Sequence, residues 1–182
     1  MLWLLTAACG GRAASGGGEH PTPRPRVIPL ARAILLETAG SPPPDTSVTF
    51  IAGEPRTIIL RHGPPDNVVF AELVFPPHAF GDSGLAVRVD LHPRPGVYGV
   101  DLATTVPLRG GATIVFKYAR YFSAPARARA VYGSDVAFER ALAVGELQPG
   151  GMLNLLPSTR PTPDNLSAVI QAAGSFLVAA PE

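Results

Sequence analysis

The sequence holds one cysteine, one tryptophan and one lysine in 182 residues. With a single cysteine no internal disulfide can form, so the fold must rest on packing alone. Basic and acidic residues nearly balance, 15 against 14, for a net charge of +1. That balance lacks the basic stripe of a nucleic-acid binder, so no nucleic-acid partner is expected. No apolar run beyond the N-terminus approaches the ~18 residues that carry a helix across a bilayer. Charged residues make up only 16% of the chain and hydrophobic ones 46%, which excludes a disordered chain. Also missing are Gly-x-Ser-x-Gly, His-x-x-x-His, Cys-x-x-Cys and a glycine-rich loop running from strand into helix. These absences speak against an α/β-hydrolase, a close-spaced zinc site and a phosphate cradle. The expectation is a chain that is not an enzyme and carries no cofactor.

Proline and glycine are abundant instead, 21 and 19 residues, and imply many sharp turns and few long helices. The N-terminus has its own pattern. Met1 to Leu5 is short and apolar, Thr6-Ala7-Ala8 are small, and Cys9 opens a Gly- and Ser-rich run to Gly18. An apolar segment, small residues before a cysteine and then a flexible tether resemble a bacterial lipoprotein signal. Residues 1–9 then form the signal, and Cys9 is the lipidated first residue of the mature chain. The protein is expected in the bacterial cell envelope, at the outer membrane or facing the periplasm. The segment has no Lys or Arg before its apolar core and carries Thr6 where such signals place leucine. Both features fit a translation start further upstream. The alternative is a plain N-terminus, cleaved or without a signal, whose cysteine is a small buried hydrophobe.

Residues 10–26 pass from glycine-rich to proline-rich and read as a tether stiffening into extended polyproline structure. Residues 27–182 are about the size of one domain with a substantial core. Here short strands alternate with turns. Leu85, Val87, Val89 and Leu91 alternate with Ala86, Arg88 and Asp90, the period-2 signature of a half-buried strand. Ala112 to Tyr118 repeats it, with Ile114, Phe116 and Tyr118 inward. Val68–Phe75 is apolar on both faces apart from Glu72 and predicts a central strand. Further strands are expected at Val27–Leu36, Val48–Ile51, Thr57–Arg61, Arg127–Tyr132, Met152–Leu156, Leu166–Ile170 and Ser175–Ala179. Ser134-Asp135 caps a short helix through Val136, Phe138, Leu142 and Val144, or the segment 134–147 forms a hairpin. The expected fold is all-β, an antiparallel β-sandwich with at most one short helix.

Three stretches of residues 66–180 carry a family resemblance. They are Leu73-Val74-Phe75-Pro76-Pro77-His78-Ala79-Phe80, Val106-Pro107-Leu108 running to Ile114-Val115-Phe116, and Leu166–Ile170 followed by Gly174–Val178. Their order resembles the β-sandwich domain of ankyrins and netrin receptors, which also occurs in bacterial surface proteins. His78 stands where that family has glycine, and Gln171 to Gly174 lacks its Ser-His. The resemblance implies a non-catalytic module for protein interaction or structural support.

Few residues invite chemistry. Gly81-Asp82-Ser83-Gly84 copies the tetrapeptide at the nucleophile of trypsin-like proteases but lacks room upstream for the rest of a triad, and reads as a turn. His62, His78 and His92 each fall at a strand end with Asp66 and Asp90 near in sequence. If those ends met on one rim, the three histidines would form a metal site, the only metal candidate. A carbohydrate reading has only Tyr121 to offer as an exposed ring, since Trp3 lies in the signal. Arg94, Asp101 and Arg109, or Asp135, Glu139 and Arg140, are interaction candidates. The expected function is therefore a non-enzymatic cell-envelope lipoprotein, bound to the membrane through Cys9 and meeting a protein or envelope polymer. The alternatives are a polysaccharide- or ligand-binding module and a metal-binding protein.

Overall fold

A computed structural model describes residues 26–39, 41–81, 84–118 and 122–182. Cys9, Tyr121, Asp82 and Ser83 lie outside the described residues, as do the signal and nearly all of the tether. The described chain is an antiparallel β-sandwich of two sheets.

The first sheet runs in the order β1 (Arg26–Pro29), β10 (Met152–Leu155), β9 (Ala143–Gln148), β13 (Gly174–Pro181), β7 (Gly99–Thr104), β6 (Ala86–Pro93) and β3 (Thr46–Ile51). A short β2 (Ala33–Leu35) also pairs with β13. The second sheet runs β11 (Ser158–Thr159), β12 (Asn165–Ile170), β8 (Ala112–Lys117), β5 (Val69–Phe75) and β4 (Arg56–Arg61). The alternating patterns place the core between the sheets. Val87, Val89 and Leu91 from β6, Ile114 and Phe116 from β8, and Phe70, Leu73 and Phe75 from β5 are all fully buried. Tyr98 stacks on Phe70 with ring centroids 5.1 Å apart. Glu72, the one charge in β5, meets Lys117 across the ladder to β8 at 2.7 Å. Leu85 departs from its expected inward position, at 42% exposure, because β6 begins one residue later.

The expected strand Val27–Leu36 is split by a 3-10 turn over Leu30–Arg32. Its two halves pair with β10 and with β13, strands that stand two ladders apart. In a flat sheet β1 and β2 would stand roughly 19 Å apart, four interstrand spacings of about 4.8 Å. Three intervening residues in a tight turn cannot span that, so this corner of the sheet curls. Inside the curl sits a second core of Ile28, Ala33, Leu153, Leu155, Leu177 and Ala179. Gly145 belongs here by necessity: a Cβ on it would lie 2.7 Å from Leu153 Cγ. β13 is thereby buried on both faces, Phe176 and Val178 toward the main core and Leu177 and Ala179 toward the second.

Three expectations need correction. Among the described residues there are two short helices, not at most one: α1 (Ala126–Tyr132) and α2 (Asp135–Ala141). The stretch Arg127–Tyr132, expected as a strand, is α1. Its Ala-Arg-Ala-Arg-Ala alternation mimics period 2, yet alanine and arginine are among the strongest helix formers. Gly133 then ends the helix in the left-handed conformation at φ 74°. α2 starts as expected, with Ser134 Oγ accepting from the Ala137 N–H at 3.2 Å. It stops at Ala141, and Val144 belongs to β9 instead.

Candidate functional site

The sandwich does not bring the three histidines together. His62 follows β4, while His78 follows β5, and these antiparallel strands end at opposite ends of their hairpin. His62 is buried, its Nδ1 3.1 Å from the Ser41 carbonyl and its ring edge-on to Phe70 at 5.3 Å. His92 is exposed on β6 and pairs with Asp45 through Nδ1 at 2.9 Å. Asp90, its neighbour on the same face, is occupied by Arg88 Nε at 2.9 Å. Ser47 and Arg88 bonding holds the Asp90 carboxyl below the usual carboxylate range. No group of three His, Cys, Asp or Glu suited to a metal ion occurs among the described residues.

The acid–base clusters resolve into local pairs. Arg94 Nε donates to Asp101 Oδ1 at 2.8 Å, while Arg109 lies elsewhere, its Cδ against Gly81. Asp135 is taken by Arg129, which ties the end of α1 to the start of α2. Glu139 joins a part-buried polar group missed by the sequence reading. Tyr118 Oη stands 3.1 Å from Glu139 Oε1 and 3.3 Å from the Pro163 carbonyl. Arg160 donates to the carbonyls of Glu139 and Leu142, closing the C-terminal end of α2. Desolvation, reinforced by the Glu139 charge, pushes the Tyr118 hydroxyl up to about 12. No sequence pattern announces such a network, since its members come from the residue after β8, from α2 and from the 156–164 connection.

Two features remain with groups turned outward. The first is a sheet edge. Each sheet path ends in two terminal strands, and three of the four carry a feature that blocks further pairing. β11 has two residues, β1 carries Pro29 behind Arg26, and β4 has arginine at both ends. β3 carries none: Thr-Ser-Val-Thr-Phe-Ile has no charge and no proline. The Ala52 N–H bonds the Leu85 carbonyl, so by the period of two Phe50, Val48 and Thr46 also face β6. The backbone groups of Ser47, Thr49 and Ile51 therefore point away from the sheet. Ile51, at the end of this edge, is 57% exposed.

The second feature is a cleft of about 420 Å³ lined by residues of β9, β10 and β13 from the first sheet and of β12 from the second. Glu146, Asn154, Leu156, Val169, Gln171 and Phe176 line it. Neither of its polar anchors was singled out in the sequence, because Glu146 and Asn154 sit in strands with otherwise ordinary alternation.

With this geometry in hand, comparison with known proteins adds no family: no family model, no curated protein and no solved structure matches the chain.

Proposed function

We propose that the protein is a non-enzymatic cell-envelope lipoprotein, held to the membrane by acyl chains on Cys9, that binds a partner protein by strand addition to β3. The observation that carries this reading is the contrast among the sheet edges. A row of unpaired N–H and C=O groups templates another strand, and folded proteins block such rows unless they use them. Among the described residues β3 is the one terminal strand of the two sheet paths without a guard, and Ile51 gives an incoming strand apolar contact at its end. The resemblance to the ankyrin and netrin-receptor sandwich supports the same class of function. Among the described residues no exposed aromatic ring lies beside either feature, which weighs against the polysaccharide alternative; the histidine positions weigh against the metal alternative.

The test uses the full chain in a bacterial host, with a photoreactive residue at Thr49 on β3 or at Ile59 on β4. A single partner protein is expected to crosslink from Thr49 and not from Ile59. Thr49→Pro removes an outward N–H at a position where an edge strand tolerates proline, so it should abolish the adduct while leaving Tm within a few degrees. Cys9→Ser should release the chain from the membrane fraction. Equal adducts from both edges, or none, would reject the β3 reading; unmodified Cys9 in a membrane-bound chain would reject the anchor.

A further inference from the structure

The open edge of β3 is its own complement. Its outward backbone groups fall on Ser47, Thr49 and Ile51, all three exposed, with Thr49 at their centre. In an antiparallel pair, residues that exchange both hydrogen bonds alternate with residues that exchange none. Two copies of β3 laid antiparallel about a two-fold axis at Thr49 set Thr49 against Thr49 and Ser47 against Ile51, so each outward group meets its counterpart. At the alternate positions Val48 comes opposite Phe50 of the second copy, where paired strands bring side chains closest. Val48 is half-buried against the main core, and this contact extends each core across the joint.

We propose that the strand added to β3 is the β3 of a second copy of this chain, the two first sheets joining into one about Thr49. This rests on the strand-addition reading above and names its partner. The neutrality of β3 selects that partner. A two-fold pair sets a strand against its own image, where charges of one sign repel, and the six residues of β3 carry no charge. A strand of different sequence finds no charge on β3 to recognise, although electrostatic complementarity is a main source of specificity between unlike proteins. The placement of the strands suits the same arrangement. β1, which follows the tether in sequence, stands at the opposite end of the first sheet's order from β3. A two-fold axis normal to the sheet turns the same face of both copies to one side, so two chains anchored in one membrane can pair. A six-residue ladder is a small interface beside the ~1,200–2,000 Å² that stable complexes bury. The shared membrane supplies the high effective concentration that such a pair needs.

The experiment introduces single cysteines into the full chain in membranes of a bacterial host and applies a short bifunctional thiol reagent. The parent chain, whose one cysteine is Cys9, gives the background. Thr49→Cys alone is expected to yield a species of twice the chain mass, at least tenfold above Ser47→Cys or Ile51→Cys alone. Each of those two lies four positions from its own image, about 14 Å along the ladder at ~3.4 Å per residue. Co-expressed, Ser47→Cys and Ile51→Cys should crosslink to each other as strongly as Thr49→Cys does to itself. All three positions are exposed, so cysteine there leaves the core untouched. Equal crosslinking from the three single variants, or none from the co-expressed pair, would overturn the proposal. A photoreactive residue at Thr49 separates it from the reading on which it rests. A single adduct of another mass keeps strand addition and overturns the second copy, whereas no adduct rejects both.

Discussion

Val87 and Arg88 are neighbours in sequence and opposites in surroundings. Val87 is fully buried between the sheets, while Arg88 lies on the outer face, bonded to Ser47 Oγ at 3.0 Å and to Asp90. Val87→Asp buries a charge with no partner and should cost about 3–5 kcal/mol. Arg88→Asp loses surface contacts only and should cost less than about 1 kcal/mol. Urea unfolding of both variants measures the difference, and equal losses would mean the faces are misassigned. Tyr118 supplies a pH signature. Its hydroxyl ionises near 10 when unfolded and is pushed up to about 12 in the fold, so the native state holds its proton more tightly. The resulting stability is complete below pH 10 and is lost as pH rises from 10 to 12, on the order of 3 kcal/mol in all. Tyr118→Phe should flatten that part of the stability curve relative to the parent, whatever its effect at neutral pH. A parallel fall in both proteins would show that Tyr118 is not the titrating group. Both expectations depend on inward faces that period-2 alternation made legible. The Tyr118–Glu139–Arg160 contacts were illegible, because they join residues 21 or more positions apart.

At the scale of elements, most strands could be read because their apolar alternation is sharp and turn residues bound them. β7, β9 and β11 escaped notice. β7 begins with glycine, β9 was merged into the helix before it, and β11 has two residues. α1 failed for a different reason, since alternation in small and charged residues carries no information about which face is buried. The N-terminal strands show what tertiary context adds. A continuous apolar run predicted one strand, and the two cores turned it into β1 and β2 across a curl. Removing residues 1–35 should uncover Leu153, Leu177 and Ala179 and cost several kcal/mol, at about 1.5–3 kcal/mol for each large apolar side chain exposed. Removing residues 1–25 leaves every member of the second core in place and serves as the reference. Thermal unfolding of the two truncations checks this, and equal Tm values would mean the second core contributes no stability.

For the whole molecule, composition and spacing were enough for a sandwich, since they demand many short strands, few charges and a core without disulfides. They said nothing about which edge stays open or which inner face turns polar, because both depend on strand order. Glu146 and Asn154 become a pair only once β9 and β10 lie side by side. Likewise, β3 differs from β4 only when both are known to be terminal.

The curled corner has a mechanical consequence. A chain hanging from its N-terminus takes any load at Arg26, the first residue of a terminal strand with only four paired positions. Such a strand peels a bond at a time, and tension would free residues 26–32 before reaching β2 on β13. Fully extended, those seven residues would span at most roughly 24 Å at about 3.4 Å each. The main core, which contains none of them, would stay closed. Under such a load this corner would yield length before the sandwich yields shape.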